Sequence, residues 1–392
     1  MTAPPSRRVP ASELADLARR VGFTRAGVAR LGPATTGEAL RRWLRRGDHA
    51  GMSYLERRVE ERLDPGRLLP GARSVVCVAL AYDGAPAAGD LWSRVARYAR
   101  GDDYHEVMTA RLARLEGALR ERYPGVATRK AVDTSPVLER EWAARAGLGA
   151  VGKHTCLIDP ESGSYLLLGE LFTSLAVAPE TPVADLCGNC TRCLEACPTG
   201  ALPEPYRLDS RRCISYWTIE HRGAIPAAQR PAIGEWVFGC DLCQEACPWN
   251  RRAPASGDPG LELPETRSQL DLVGLLTLDR ERYVELFRRS PMKRAKLEGL
   301  QRNAAVAMGN RGDRRYVPAL AAALGSESES VRGHAAWALG RIGGEAARRA
   351  LLAGQEGESS PAVRAEIEAA LAELGFDSRG APCVDSILPS SQ

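Results

Sequence analysis

Hydrophobic and polar residues along the first half of the chain form patterns that predict both helices and strands. Apolar residues recur with the spacing of one helix face in three segments, 13–21, 38–46 and 107–123. Short runs that suit buried strands occupy 74–82, 127–132, 155–158 and 165–177. This mixture predicts one α/β domain over residues 1–178.

The middle of the chain, residues 179–258, is poor in apolar residues and rich in cysteine. Proline-containing segments at 179–183 and 251–266 read as linkers on either side of the cysteines. A module this small and this polar lacks a normal hydrophobic core. We therefore expect bound metal to supply much of its stability.

The last third of the chain turns helical and alanine-rich. Three similar segments each begin with arginine and end with glycine, and the glycines are Gly309, Gly340 and Gly375, which lie 31 and 35 residues apart. That period is typical of stacked helical hairpins of the HEAT type. We predict helical repeats over 259–376 and a flexible tail over 377–392.

The composition of the 392 residues, 44% hydrophobic and 26% charged, is that of a globular protein. No stretch has the length of an uncharged membrane span, and the first residues lack the apolar core of a secretory signal. We therefore expect a cytoplasmic protein. The net charge of +4 does not by itself indicate a nucleic-acid binder, but residues 280–315 carry a local excess of seven positive charges. That segment is either a solvated helical face or a surface that follows phosphates.

Eight of the eleven cysteines lie between residues 187 and 247, in two runs. The first run has the spacing C-x2-C-x2-C-x3-C-P of bacterial ferredoxins. The second run has only its last three cysteines, and Cys213 is the upstream residue that can replace the missing one. In ferredoxins the last cysteine of each run binds the other cluster, which assigns cluster one to Cys187, Cys190, Cys193 and Cys247 and cluster two to Cys197, Cys213, Cys240 and Cys243.

Two [4Fe–4S] clusters fit this spacing better than the alternative, a pair of zinc sites. Zinc sites use separated C-x2-C pairs and need neither the triple run nor the two Cys-Pro endings. Paired clusters transfer single electrons, so the module indicates redox chemistry without naming a substrate. The remaining cysteines are predicted to lie in core strands, for Cys77 and Cys156, and in the tail, for Cys383.

Asp133 follows the predicted strand 127–132 and has two interpretations. It can cap the helical segment that begins near Val137, or it can be an acid at the end of a strand, where α/β sheets place ligands. His105 lies in a segment close to D-x-H-x-x-G, a motif by which some cobalamin proteins supply a histidine to cobalt. The motif's glycine is absent, so we predict that His105 only begins a helix.

Several segments together resemble the epoxyqueuosine reductase family across essentially the whole chain. The segments are RYARGDDYH at 97–105, VDTSPVLER at 132–140, GKHT at 152–155, LLGE at 167–170, CISY at 213–216 and both cysteine runs. Two positions depart from the family pattern: Arg100 stands in place of a tryptophan, and Cys156 in place of a polar residue.

This resemblance implies an oxidoreductase that converts epoxyqueuosine to queuosine at the wobble position of tRNA. It implies a cobalamin with no protein histidine below the cobalt, in addition to two [4Fe–4S] clusters. The implied fold is a cobalamin-binding α/β domain, a ferredoxin-like module and C-terminal HEAT-like repeats, in agreement with the three segments above. An external electron donor, a monomer and no membrane association are expected.

By family position, Asp133 is the acid that protonates the opening epoxide oxygen while reduced cobalt attacks the epoxide carbon. The residues expected to surround the cobalamin are Arg57, Arg97, Tyr98, Arg140, Lys153, Thr155, Ser215, Asp241 and Leu242. The residues expected to hold the anticodon stem–loop are Arg222, Lys293, Arg294, Lys296 and Arg302. Tyr216 or Trp217 would stack on a flipped base.

Two other functions remain open at the level of the sequence. A corrinoid reductive dehalogenase would explain the clusters and the cobalamin but not the helical repeats. A non-catalytic electron-transfer scaffold would use the repeats to dock a partner, and in it Asp133 would be no more than a cap.

Overall fold

The fold is described by a computed structural model for residues 9–82, 87, 89–252 and 258–375. The chain divides into two units, each assembled from separate stretches. Unit one comprises Met1–Pro86, Ala96–Cys213 and Asp241–Pro264, and unit two comprises Ala87–Val95, Ile214–Cys240 and Glu265–Gln392. The predicted tail and Cys383 lie outside the described residues, and the domain boundaries proposed after residues 178, 258 and 376 stay predictions.

Unit one is built around an antiparallel sheet. The strands of unit one are β1 (Arg25–Arg30), β2 (Ser74–Ala81), β3 (Thr128–Ala131), β4 (Ala150–Val151), β5 (Leu157–Ile158) and β6 (Leu166–Thr173). Four of them form the main sheet in the order β1-β2-β6-β3, and β4 pairs with β5 in a separate ribbon. Strand β6 thus separates β2 from β3, although β3 precedes it in the sequence.

Strand β2 is buried along its whole length because both faces of the sheet are covered. Val76, Val78 and Leu80 join the core with Leu14 and with residues of the segment 104–122 on one face. The alternate residues, among them Cys77, pack with Trp142 on the other face. This two-sided burial explains why the segment reads as a continuous apolar run rather than as an alternating one.

The described residues also form sixteen α-helices. They are α1 (Ala11–Arg20), α2 (Gly37–Arg45), α3 (Val59–Leu63), α4 (Tyr104–Arg122), α5 (Glu139–Arg145), α6 (Arg192–Glu195), α7 (Arg230–Ile233), α8 (Leu242–Glu245), α9 (Glu265–Ser268), α10 (Leu272–Leu276), α11 (Arg280–Phe287), α12 (Lys296–Arg311), α13 (Val317–Ala323), α14 (Glu329–Ile342), α15 (Glu345–Glu356) and α16 (Pro361–Glu373). The three helices predicted from the N-terminal pattern correspond to α1, α2 and α4.

Unit two contains the helical repeats, whose long helices approach closely at glycine. A Cβ placed on Gly309 of α12 would lie 2.9 Å from the Cα of Ala338 in α14. A Cβ on Gly340 of α14 would lie 2.8 Å from the Cβ of Ala370 in α16. Two of the glycines that marked the sequence period therefore permit the close contacts of α12 with α14 and of α14 with α16.

Candidate functional site

Four thiols of unit one surround a cavity of about 300 Å³. They are the four that the sequence assigned to cluster one: Cys187, Cys190, Cys193 and Cys247. Nowhere in the described ranges do three Cys, His, Asp or Glu side chains converge on the position of one metal ion. Thiols that line a cavity, instead of meeting at a point, suit a cubane cluster better than zinc.

Lys153 holds the loop that carries these thiols. Its ammonium group donates to the carbonyl oxygens of Gly188 at 2.7 Å and Cys190 at 2.9 Å. Its backbone N–H points at the Cys187 sulfur, 3.4 Å away. Lys153 was expected at the cobalamin, but its side chain is buried at the cluster-one loop, where hydrogen bonds and positive charge tune a cluster.

The cluster-two cysteines are divided between the two units. Cys197, Cys213 and Cys243 belong to unit one, and Cys240 belongs to unit two. The backbone N–H of Ala201 points at the Cys197 sulfur at 3.2 Å, as amides commonly do toward cluster thiolates. The assignment of Cys213 as the replacement ligand stays a prediction.

A second cavity of about 260 Å³ in unit one combines aromatic and acidic side chains. Its residues include three tyrosines, two carboxyls, a leucine-rich stretch of β6 and a few polar groups: Tyr82, Tyr98, Tyr104, Asp133, Glu139, Arg140, Cys156, Ser164, Leu166, Leu167, Leu168 and Gln244. Cys156 therefore faces this cavity and does not lie in a core strand, because β5 begins one residue later. We call it the tyrosine cavity.

Asp133 lies at the tyrosine cavity in an unusual backbone conformation. Its φ of 33° is positive, which is uncommon for a residue other than glycine and marks local strain. Its carboxylate lies 3.1 Å from His105 Nε2, and its backbone N–H donates to Glu139. The cap interpretation is wrong, because α5 is capped by Leu138 without a side-chain hydrogen bond.

His105 does more than begin α4. Its Nδ1 lies 2.7 Å from the carboxylate of Asp103, which also caps α4 by accepting from the His105 backbone N–H. Its ring stacks on Tyr104 with the centroids 4.1 Å apart. Burial opposes a charge on the imidazole, but hydrogen bonds with Asp103 and Asp133 raise the pKa of His105 to about 9.

Two glutamates beside Asp133 favour the protonated form. Burial, followed by repulsion from Asp133, raises the pKa of Glu139 to about 8. Glu170 on β6 is fully buried, and neither of its carboxyl oxygens has a hydrogen-bond partner within the described ranges. Burial raises the pKa of Glu170 well above its ordinary value, with repulsion from Glu139 next in importance. Glu170 was not predicted as part of the site from the sequence, although a glutamate inside an apolar strand was a usable signal.

The structure brings together only some of the residues expected at the cobalamin. Tyr98 and Arg140 line the tyrosine cavity, and Arg140 donates to the Thr155 carbonyl oxygen at 2.6 Å. Arg57 is exposed in the turn before α3 and is not among the residues that line this cavity. Ser215 belongs to unit two.

Arg97 and Asp241 form a second small group within unit one. The Arg97 backbone N–H donates to the buried carboxylate of Asp241 at 2.8 Å. The Arg97 guanidinium lies 4.7 Å from the ring centre of Tyr165 and 3.6 Å from the Glu245 carboxylate. Leu242 follows Asp241 as the first residue of α8.

The described residues around the tyrosine cavity are chemically suited to a corrin. A corrin has a broad apolar face and a rim of amide groups. The three tyrosines and the β6 leucines offer apolar surface, and Ser164, Gln244 and Arg140 offer polar groups.

Unit two presents several of the basic residues expected to contact RNA. Lys293, Arg294 and Lys296 are exposed, and Arg294 pairs with Glu220 at 2.8 Å. Arg222 donates to the Arg294 carbonyl oxygen at 2.7 Å. We call these four basic residues the basic patch. Within it, Arg222 is hydrogen-bonded to Arg294, and Lys293 is the neighbour of Arg294 in the sequence.

Arg302 does not suit an RNA contact because it is buried, with only 2% of its surface exposed. Its guanidinium donates to the carbonyl oxygens of Trp217, His221 and Gly223, and to the side chain of Asn303. The Trp217 side chain is also mostly buried, which leaves Tyr216 as the more accessible of the two aromatic residues. Arg302 therefore braces the π-helical turn Tyr216–Glu220.

Comparisons with known proteins agree with this arrangement. Residues 62–134 match the family model of epoxyqueuosine reductase QueG, residues 186–250 a 4Fe-4S double cluster binding domain, and residues 293–372 HEAT repeats. The epoxyqueuosine reductase of Xanthomonas campestris is 40% identical over 85% of this chain and 96% of its own length. That of Pseudomonas aeruginosa is 39% identical over 87% of this chain and 97% of its own length.

Solved structures show the same relationship. A crystal structure of epoxyqueuosine reductase with a tRNA-Tyr epoxyqueuosine-modified stem loop has a TM-score of 0.85 and 32% identity, covering 93% of this chain and 98% of that one. The Bacillus subtilis enzyme, solved with its catalytic aspartate loop swung out of the active site, also has a TM-score of 0.85 and 32% identity, with the same coverage of both chains.

The fold and the cysteine-lined cavity define an iron–sulfur oxidoreductase with an α/β domain, a double-cluster module and HEAT repeats. Its cofactors are two [4Fe–4S] clusters and a cobalamin. The chain belongs to the epoxyqueuosine reductase family. No helix in the described ranges has both the length and the apolar character needed to cross a bilayer.

Proposed function

We propose that this chain reduces epoxyqueuosine to queuosine in tRNA, and that Asp133 is the acid of the reaction. The reaction follows from the family, whose curated relatives match nearly their whole length. The observation that supports the role of Asp133 is its position: it lies at the tyrosine cavity on a strained backbone and is hydrogen-bonded to His105. Family membership also argues against the dehalogenase and scaffold alternatives.

The net reaction sets what the residues must do. Conversion of an epoxide to an alkene consumes two electrons and two protons, breaks both C–O bonds, and releases the oxygen as water. When bound, the cobalamin supplies a strongly nucleophilic reduced metal for the epoxide carbon, and the clusters supply electrons one at a time. The protein must therefore bind the base and deliver the protons.

Asp133 is suited to proton delivery because its side chain is 54% exposed in unit one and lies at the cavity. A developing alkoxide is a poor leaving group in the absence of an acid, so proton transfer in the transition state accelerates the step. Glu139 stiffens the loop by accepting the Asp133 backbone N–H. Tyr104 bonds the same carboxyl, which limits the orientations that Asp133 can take.

The variant Asp133→Asn tests this role. We expect turnover of an epoxyqueuosine-containing tRNA stem loop to fall by at least about 100-fold, since the amide cannot donate an acidic proton. Product would be measured by mass spectrometry with anaerobically purified, cobalamin-loaded enzyme. Iron and cobalamin contents should stay at their normal values. Asp16→Asn, a change at an exposed residue of α1, is the matched control and should leave turnover unchanged.

Unchanged turnover in Asp133→Asn would remove this residue from the mechanism. Loss of cobalamin or iron in the same variant would also contradict the proposal, since it would show that Asp133 supports cofactor binding. If the unmodified enzyme fails to convert the stem loop at all, the proposed reaction itself is wrong.

We further propose that Cys187, Cys190, Cys193 and Cys247 bind cluster one and that Cys197, Cys213, Cys240 and Cys243 bind cluster two. The shared cavity supports the first set, and the sequence spacing supports the second. Cys213→Ala should lower the iron content toward half. Cys383→Ala, a change in a cysteine outside both sets, is the control, and full iron loading in Cys213→Ala would refute the ligand assignment.

We propose that tRNA contacts the basic patch of Arg222, Lys293, Arg294 and Lys296. Exposure and local positive charge support this surface. Replacing Lys293 with alanine should weaken binding of the stem loop and reduce the slope of log affinity against log salt by about one. Arg349→Ala, at an exposed arginine of α15, is the control. An equal salt slope in the Lys293 variant would exclude that contact.

The proposal also includes the oligomeric state, the location, the electron donor and the cobalamin-binding residues. The enzyme acts as a monomer in the cytoplasm, where its tRNA substrate is found, and receives electrons from an external donor. Tyr98 and Arg140 line the tyrosine cavity, and Thr155 accepts a hydrogen bond from Arg140. These three are the residues we assign to the cobalamin. Asp241 and Leu242 lie between the cluster-two cysteines Cys240 and Cys243 in the sequence, and the Arg97 backbone N–H donates to Asp241.

A further inference from the structure

We propose that His105 is a proton relay to Asp133, which allows one carboxyl to deliver both protons of the reaction. The inference rests on the proposed function and extends it. His105 is not expected to touch the substrate. It acts through Asp133 and is therefore a positioning and relay residue.

The geometry that supports the relay is a chain of three side chains. The imidazole lies between two carboxylates, with Nδ1 2.7 Å from Asp103 and Nε2 3.1 Å from Asp133. Asp103 is almost fully buried, whereas the His105 side chain is 32% exposed within unit one. The inner carboxylate thus fixes the ring orientation, and the outer nitrogen points at the acid in the cavity.

The relay accounts for the two protons that the reaction consumes. At rest His105 holds the proton and Asp133 is a carboxylate. A proton moves from His105 Nε2 to Asp133 Oδ2, and Asp133 donates it to the oxygen as the first C–O bond breaks. His105 takes up a proton from solvent, and the same two transfers supply the second proton as the second C–O bond breaks and the oxygen leaves as water. The two electrons come from the clusters. Asp133 ends as a carboxylate again, and His105 recovers its proton from solvent.

The groups around His105 favour a charged imidazole at neutral pH. Asp103 faces the ring from the start of α4, Asp133 from the loop after β3, and Tyr104 is stacked on it. Glu139 at the start of α5 and Glu170 on β6 lie near Asp133 and interact with its charge. The two direct carboxylate bonds offset the effect of burial, so His105 holds its proton until the pH rises to about 9.

The first test is His105→Gln, which retains hydrogen-bonding groups but cannot titrate. We expect turnover of the stem loop to fall by about 100-fold with normal iron and cobalamin contents. The matched control is His49→Gln, since His49 also bonds a carboxylate, Glu56, at 2.9 Å in unit one. Its turnover should remain within about twofold of the unmodified enzyme's. Unchanged turnover in His105→Gln would overturn the relay.

The second test separates a relay from a merely structural role. Asp103→Asn removes the inner negative charge and should lower the pKa of His105. The decline of turnover at alkaline pH should then move to lower pH by about one unit or more. An unmoved decline would overturn the proposal. If instead the unmodified enzyme makes no queuosine at any pH, the proposed function fails first, so the two failures are distinguishable.

Discussion

Two buried charged side chains, Arg302 in unit two and Glu170 in unit one, have opposite surroundings. In unit two, Arg302 satisfies its guanidinium with four acceptors, and the neighbouring Asn303 donates to the carbonyl oxygens of Thr218 and Val237 at 2.8 Å. In unit one, Glu170 is equally buried, but neither of its carboxyl oxygens has a partner among the described residues. The Arg302 network stabilises the fold, whereas the burial of Glu170 raises the pKa of its carboxyl.

The difference shows how burial alone can mislead. A buried charge with all its bonds made keeps its charge and braces the backbone around it. A buried carboxyl without partners favours the protonated form instead. Glu139 and Asp133 lie beside Glu170, so this group of acids is suited to proton chemistry, whereas Arg302 is suited to structural support.

The largest expected effect comes from breaking the satisfied network. Arg302→Met leaves the carbonyl oxygens of Trp217, His221 and Gly223 without their donor, so the free energy of unfolding should fall by about 3 kcal/mol. Urea denaturation followed by tryptophan fluorescence measures this change. Arg349→Met, at an arginine whose side chain is 68% exposed, should change stability by less than about 0.5 kcal/mol. Equal stability of the two variants would contradict the comparison.

A smaller effect of opposite sign is expected from the unsatisfied acid. Folding raises the pKa of Glu170, so the folded chain keeps a proton that the unfolded chain releases above the ordinary value of 4.5. Glu170 therefore makes stability fall as the pH rises from that value through the folded pKa.

Glu170→Gln removes this penalty and should stabilise the protein at pH 8 by about 1–2 kcal/mol. The measurement is thermal unfolding between pH 5 and pH 8, where the variant should lose less stability than the unmodified protein. Glu161→Gln, at an exposed position, is the control and should keep the original slope. A destabilised Glu170→Gln would show that this carboxyl has a favourable partner.

The smallest expected loss of stability comes from removing one buried hydroxyl of unit two. The Thr218 hydroxyl donates to the Ile214 carbonyl oxygen at 2.8 Å and accepts from the buried Gly239 N–H at 2.9 Å. Thr218→Val has nearly the same shape and should cost about 1 kcal/mol, because it leaves a buried amide without a partner. Thr277→Val, which removes an exposed hydroxyl, should have a smaller effect on the same denaturation curve.

The sequence predicted best the features whose residues are close together in the chain. The ferredoxin spacing identified the thiols around the cluster-one cavity, and the glycine period identified helices that approach at Gly309 and Gly340. Both patterns are local, so their meaning does not depend on how distant segments meet.

The acid cluster was harder to predict because its contacts join distant segments. Asp133 was weighed as a cap of the following helix, but its carboxylate bonds His105, which lies on the preceding helix α4. Glu170 comes to this region only because β6 pairs with β3, which aligns Glu170 with Ala131. Arg302 was misread because its charge suggested a surface position, although it begins the small-residue segment that forms a buried helix face.

The sheet order β1-β2-β6-β3 has a consequence for synthesis on the ribosome. Strand β3, which leads directly into Asp133, emerges before the strand that will hold it in place. Until β6 has been translated, the antiparallel pair of β1 and β2 presents an open edge that another chain can join. A translational pause just before β6 would therefore expose the nascent protein to aggregation at the point where its acid loop is still unanchored.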